Sequence, residues 1–154
     1  MSPHAPAPPI DPFDLARFEQ AQQAVYAQAL AELRAGRKRT HWMWFVLPQL
    51  RGLGASEMSR RYAIASLAEA RAYLMHPVLG ARLRECVAAI CAHAGRGAAA
   101  VLGEVDAQKF RSCLTLFAEA AADEPLFRDA LGQCCGGAPD SATLALLAAG
   151  RPPR

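Results

Sequence analysis

Residues that open helices and glycines that close them alternate along this chain, and that punctuation limits what it can fold into. Asp11-Pro12-Phe13-Asp14 puts a capping acid ahead of a proline, with a second acid in the first turn. Leu15, Phe18, Val25, Ala29 and Leu33 then recur at helical intervals, and Gly36 supplies the stop, so the spacing predicts one helix over 12–35. Ser56 caps a short helix through Ile64, and Ser66-Leu67-Ala68-Glu69 is a capping-box pattern opening another. His76-Pro77 ends that one and starts a helix over 77–94 with Leu79, Leu83, Cys86, Val87 and Ile90 as its apolar stripe. After a weak turn at 98–102, Asp106 caps a strong helix through Ala122, on which Phe110, Leu114 and Phe117 mark the core face. Asp123 with Pro125 opens another through Cys135, and Asp140 opens the last, through Ala149. The expectation is an all-α fold, a single multihelical domain of about seven helices over 11–150, with no internal repeat.

One segment has no period. Trp42-Met43-Trp44-Phe45-Val46-Leu47 is a continuous apolar run before Pro48, and strand and buried helix cannot be told apart there by pattern. Gly52 and Gly54 form a loop after it. Both tryptophans of the chain lie in this run, which must enter the core.

At 154 residues, 53% hydrophobic and 20% charged, the composition is that of a globular domain large enough to fold without disulfide or metal. The first ten residues, MSPHAPAPPI, lack the basic start and apolar stretch of a secretory signal and read as a disordered leader; RPPR at 151–154 reads as a disordered tail. No apolar run approaches the ~20 residues of a membrane span, so a cytoplasmic protein is expected. The five cysteines form no CxxC pair and read as reduced thiols, buried except for Cys134-Cys135, which borders a glycine pair and is expected to be exposed. The histidines show no zinc-ligand spacing with them, so neither a metal nor a cofactor is expected. Net charge is +3, but seven basic residues and one acid between Arg34 and Arg61 concentrate +6 there. Without aromatics interleaved on a recognition helix, this basic window fits a small anionic partner better than nucleic acid.

No nucleotide-binding, zinc-protease or hydrolase-elbow motif is present. What remains is polar residues set among apolar ones. Lys109 shares a helix face with Ser112, Cys113 and Leu116, and Asp106 lies one turn before it. A lysine so placed can hold a phosphate or carboxylate; the simpler reading is a stem covering apolar surface with its amine in water. His41, beside Trp42 and Trp44, can serve as an acid–base or as part of an aromatic wall, or simply anchor the buried crossing segment. His76 reads first as a turn residue, Asp140 and Thr143 as helix-start residues, and Gln49 with Gly52 and Gly54 as a loop able to offer amides to an anion.

The run His41 to Gly54 resembles the signature block of a bacterial family of unknown function, DUF1810, whose members are sometimes mislabelled calpastatin. The likeness continues through Tyr62-Ala63-Ile64, Glu69 to Leu74 and His76 to Gly80, then Asp106 to Phe117 and Asp140 to Leu144. Cys113 and Leu114 depart from the serine and methionine expected of the family. A calpastatin is long, repetitive and disordered, and this chain is none of these. The resemblance implies a multihelical single domain and carries no activity. It does include polar residues in the matching blocks, among them His41, Gln49, Glu69, His76, Asp106, Lys109 and Ser112, which a fold needing only a core would not require.

The leading expectation is therefore a small cytoplasmic domain that binds a small anionic, nucleotide-like ligand. Its pocket would be lined by Lys109, His41, Trp42, Trp44, Gln49, Ser112 and His76. One alternative is a hydrolase acting on a nucleotide or ADP-ribose derivative, with Asp106, Glu69, Lys109 and His41 as candidate catalytic groups. Another is a protein-interaction module, which predicts an exposed apolar patch in place of a pocket.

Overall fold

The computed structural model describes residues 10–150, so the expected tail and all of the expected leader except Ile10 lie outside the described residues. The first helix starts at Ala16 and not at Pro12, with Leu15 in the N-cap position, although the Asp11 carboxylate accepts from the amides of Leu15 and Ala16 at 2.8 and 2.9 Å. Two helices follow where one was expected, α1 (Ala16–Gln23) and α2 (Tyr26–Arg34). The break at Ala24-Val25 separates α1, which packs against α3, from α2, which packs against α6.

The period-less apolar run forms one short helix, α3 (Met43–Val46), and continues past Pro48 in extended form. There Leu50 bridges Ile64 in parallel, with the Ile64 amide donating to the Gln49 carbonyl at 2.9 Å and the Arg51 amide to the Ile64 carbonyl at 2.8 Å. Between these strand-like pieces lies α4 (Glu57–Arg61), capped by Ser56 but ending before Ile64, because Ile64 is committed to that bridge. Then come α5 (Leu67–Met75), α6 (Leu79–Cys91), α7 (Ala98–Leu102) after a short 3-10 turn, α8 (Glu104–Ala120), α9 (Leu126–Cys134) and α10 (Ser141–Ala149). Ten α-helices are thus described, of which seven have at least seven residues, and no strand longer than the single bridge occurs among the described residues.

The long helix α8 organises the domain, packing against α5, α7, α9 and α10, while α6 joins α2, α5 and α9. Phe110, Cys113, Leu114 and Phe117 line the core face of α8 with no exposed surface. Ring contacts run through the centre from Phe18 to Tyr73 (5.2 Å), from Tyr73 to Phe117 (5.5 Å) and from Phe117 to Phe127 (5.8 Å). Among the described residues no helix is long and apolar enough to cross a membrane.

Candidate functional site

The solvent-side face of α8 builds one wall of a cleft. Val105, Gln108, Lys109 and Ser112 recur at the three-and-four spacing that puts them in one row, opposite the core row of Phe110, Cys113, Leu114 and Phe117. The facing wall is the Gln49–Gly54 loop with Ser59 of α4, and the start of α10 closes one end through Asp140 and Ala142. The cleft is open to solvent and offers about 480 Å³. A narrow recess of about 30 Å³ continues from it past Gln49, Gly54 and Ser59 to Trp44, Arg51 and Arg60. Gly54 is required for this shape, because a Cβ there would lie 2.4 Å from the Ser59 hydroxyl.

Lys109 is the cation of the cleft. Its ammonium lies 5.6 Å from the centre of the Trp44 ring and 3.7 Å from one carboxylate oxygen of Asp106. The other Asp106 oxygen is held at 2.9 Å by Lys38, which is nearly buried and rests 5.1 Å from the Trp42 ring. Two lysines thus share one carboxylate, and the closer is Lys38, so Lys109 keeps uncompensated positive charge. Asp140 is committed elsewhere: its carboxylate accepts from the amide and hydroxyl of Thr143 at 2.9 and 2.6 Å and from the Gln108 side chain at 3.0 Å. The buried Ser112 hydroxyl donates to the Gln108 carbonyl at 3.2 Å and keeps acceptor capacity toward the cleft. The Gln49 carboxamide has no hydrogen-bond partner among the described residues, so both its donor and its acceptor are available.

Of the residues picked out in the sequence, the fold brings Lys109, Ser112 and Gln49 together on this cleft, with Trp44 in its recess and Asp106 behind Lys109. The others are elsewhere. Trp42 is 1% exposed, and its indole N–H donates to Glu32 at 3.0 Å. His41 is exposed and has no hydrogen-bond partner among the described residues. His76 acts as a cap, its Nδ1 accepting from the amides of Val78 and Leu79 at 3.2 and 3.1 Å while Nε2 meets Glu19 at 2.8 Å. It borders a separate hollow with Ile10 and Phe13. Glu69 is buried, paired with Arg17 at 2.9 Å and accepting from the Ala65 amide at 3.0 Å. Cys134 and Cys135, expected to be exposed, are both buried, and the partly exposed thiol is Cys91. Among the described residues no group of three or more His, Cys, Asp or Glu side chains could hold a metal ion.

The model of the family described as "Protein of unknown function (DUF1810)" matches residues 12–147 of this chain. The chain belongs to the DUF1810 family. Its structure is similar to the crystal structure, at 1.38 Å, of the conserved hypothetical protein Rv1873 from Mycobacterium tuberculosis. That protein is 51% identical, the match covers 90% of this chain and 99% of the other, and the TM-score is 0.87. No curated protein matches the chain. Neither the DUF1810 description nor the name of that neighbour assigns an activity.

The sequence reading of this DUF1810 chain missed Ser59 and Gln108 as cleft residues, while Arg51 and Arg60 of the recess belong to the basic window already tied to an anionic partner. Gln108 was within reach, standing one turn before Ser112 on the row that carries Lys109. Ser59 had no such signal, since its place on the cleft depends on how the chain around the Leu50–Ile64 bridge sets α4 opposite α8.

Proposed function

We propose that this protein binds a small anionic ligand, a phosphate- or carboxylate-bearing molecule of nucleotide size or less, in the cleft at Lys109. The observation that carries this reading is the sharing of Asp106 between two lysines, which leaves the Lys109 ammonium partly unpaired beside an open volume. The wider charge balance agrees. Lys38, Lys109, Arg51 and Arg60 stand at or beside the cleft and its recess against Asp106 and Asp140. An anion held by Lys109 would meet the Gln49 carboxamide and the hydroxyls of Ser59 and Ser112, the few directed polar contacts a small-ligand site uses. The indole of Trp44, already under the ammonium, would limit how far Lys109 can swing away.

A thermal-shift panel of inorganic phosphate, nucleoside mono- and diphosphates, ADP-ribose, sugar phosphates and small dicarboxylates tests this reading, with Lys109→Ala run alongside. A ligand at a hundred times its Kd adds about 2.7 kcal/mol, which raises Tm by roughly 5–10 °C in a domain of this size. Such a rise, absent in Lys109→Ala, is expected for at least one class. A flat panel on folded protein would reject the reading in favour of an interaction surface, for which the exposed Val105 and Leu146 would be the first residues to probe.

A further inference from the structure

The five cysteines are all free thiols, and two of them meet outside the cleft. Cys91 is the last residue of α6 and Cys134 the last of α9. Their sulfurs are 3.7 Å apart although 43 positions separate them in the chain. Cys135, the next residue, lies close to both, but its carbonyl accepts from an Arg111 guanidinium N–H at 2.8 Å and no sulfur–sulfur contact joins it to either. Cys86 and Cys113 are fully buried, and neither has another cysteine as a hydrogen-bond partner. Cys91 alone of the five is partly exposed.

We propose that Cys91 and Cys134 form a dithiol site that low-molecular-weight disulfides convert into an intramolecular disulfide joining α6 to α9. The sulfurs are already in van der Waals contact, and a disulfide needs them at about 2.05 Å. The remaining closure of roughly 1.6 Å falls at the C-terminal ends of two helices that already pack together. The chain after Cys134 can follow, because Gly136 and Gly137, at φ of 75° and 88°, form the turn that leads away from it.

The chemistry needs only a disulfide oxidant. The thiolate of Cys91, the accessible partner, attacks one sulfur of the oxidant, forming a mixed disulfide and expelling one small thiolate, which takes up a proton from water. The thiolate of Cys134 then attacks the Cys91 sulfur, forming the internal bond and expelling the second small thiol. Two electrons and two protons leave the protein, and the oxidant becomes two thiols. Burial pushes both protein thiols up, that of Cys134 to about 12, so the thiolate is scarce at neutral pH and the exchange is slow. The same burial shields the bond once it has formed.

The test uses the folded full chain incubated with excess oxidised glutathione at mildly alkaline pH, then alkylated, digested and mapped by mass spectrometry. The expected product is a peptide pair joined through Cys91 and Cys134, two hydrogens lighter than the reduced pair, in monomeric protein. Its formation should raise Tm by roughly 5–10 °C through closure of the long loop between the two residues, and dithiothreitol should reverse the rise. Cys135→Ser should keep the cross-link and the shift; Cys91→Ser should lose both. Recovery of Cys91 and Cys134 as separately alkylated or separately glutathionylated residues in folded protein would overturn the proposal. So would a bond from Cys134 to Cys135 or to a second chain.

Discussion

Glu32 collects more polar partners than any residue of the cleft. It lies in α2 with 4% of its surface exposed. Its carboxylate accepts from the amides of Arg39 and Thr40 at 2.8 and 3.0 Å, the Thr40 hydroxyl at 2.6 Å, the Gln28 side chain at 3.0 Å and the Trp42 indole at 3.0 Å. Burial alone would raise its pKa, but the donors from Thr40, Arg39 and Gln28 outweigh it and hold the group at about 2 instead of 4.5. A carboxylate whose folded pKa is depressed stabilises the fold above its unfolded pKa, and that stabilisation disappears as pH falls through the folded one. The Glu32 contribution is therefore complete at neutral pH and drains away from about pH 4.5 to about pH 2. Allowing for solvent screening at the loop, it is of order 2 kcal/mol. Urea unfolding of wild type and Glu32→Gln at pH 7 and pH 3 should show the two stabilities converging in acid; parallel losses would disprove the assignment. Nothing in the sequence marked Glu32, because all of its donors but Gln28 come from residues 39–42, beyond the end of its own helix.

At the scale of elements, α8 divides its two rows between stability and surface. Phe117 touches Tyr73 and Phe127 and has no exposed surface. Phe117→Ala should cost about 3–5 kcal/mol, whereas Val105→Ala, on the exposed row, should stay within about 0.5 kcal/mol. Denaturant melts of the two variants check this, and equal losses would mean the rows are wrongly assigned. Gly54→Ala makes a third case: a Cβ there would meet both the hydroxyl and the Cβ of Ser59, at 2.4 and 2.6 Å, so the backbone must shift, and a lower Tm together with weaker ligand binding is the outcome to seek. Local chemistry made most elements legible. Ser66 and Asp140 cap α5 and α10 through side-chain bonds to Glu69 and Thr143, as their patterns predict. Asp106 read as a cap in the same way, yet α8 begins earlier, after Gly103 at φ 84°. Two lysines had claimed its carboxylate, and only one of them is on its own helix. The break between α1 and α2 was equally hidden, since the apolar period runs straight through it.

The cleft is a property of the whole molecule. Lys109 and Ser112 were legible as neighbours on one helix face, and the Gln49 loop as a source of amides, but their meeting depends on long-range pairing. The charge of the site depends on distance in the same way. Lys38 follows α2, its amide donates to the Val101 carbonyl of α7 at 2.8 Å, and from there its ammonium reaches Asp106 on α8. If Lys38 is what frees Lys109, two substitutions outside the cleft lining should move anion affinity in opposite directions. Lys38→Met leaves Asp106 to Lys109 alone, and Kd for the anion found in the thermal-shift panel should rise by about tenfold, the equivalent of 1.4 kcal/mol. Asp106→Asn releases both lysines and should tighten the same anion, with the gain shrinking as salt is raised because the field is partly solvent-exposed. Titration calorimetry at two ionic strengths reads both effects. A hydrolytic Asp106 predicts something different, namely turnover abolished in Asp106→Asn whatever happens to binding. Affinities that fall together in the two variants would show that the lysine–carboxylate–lysine array supports the fold and leaves the charge of the cleft unset.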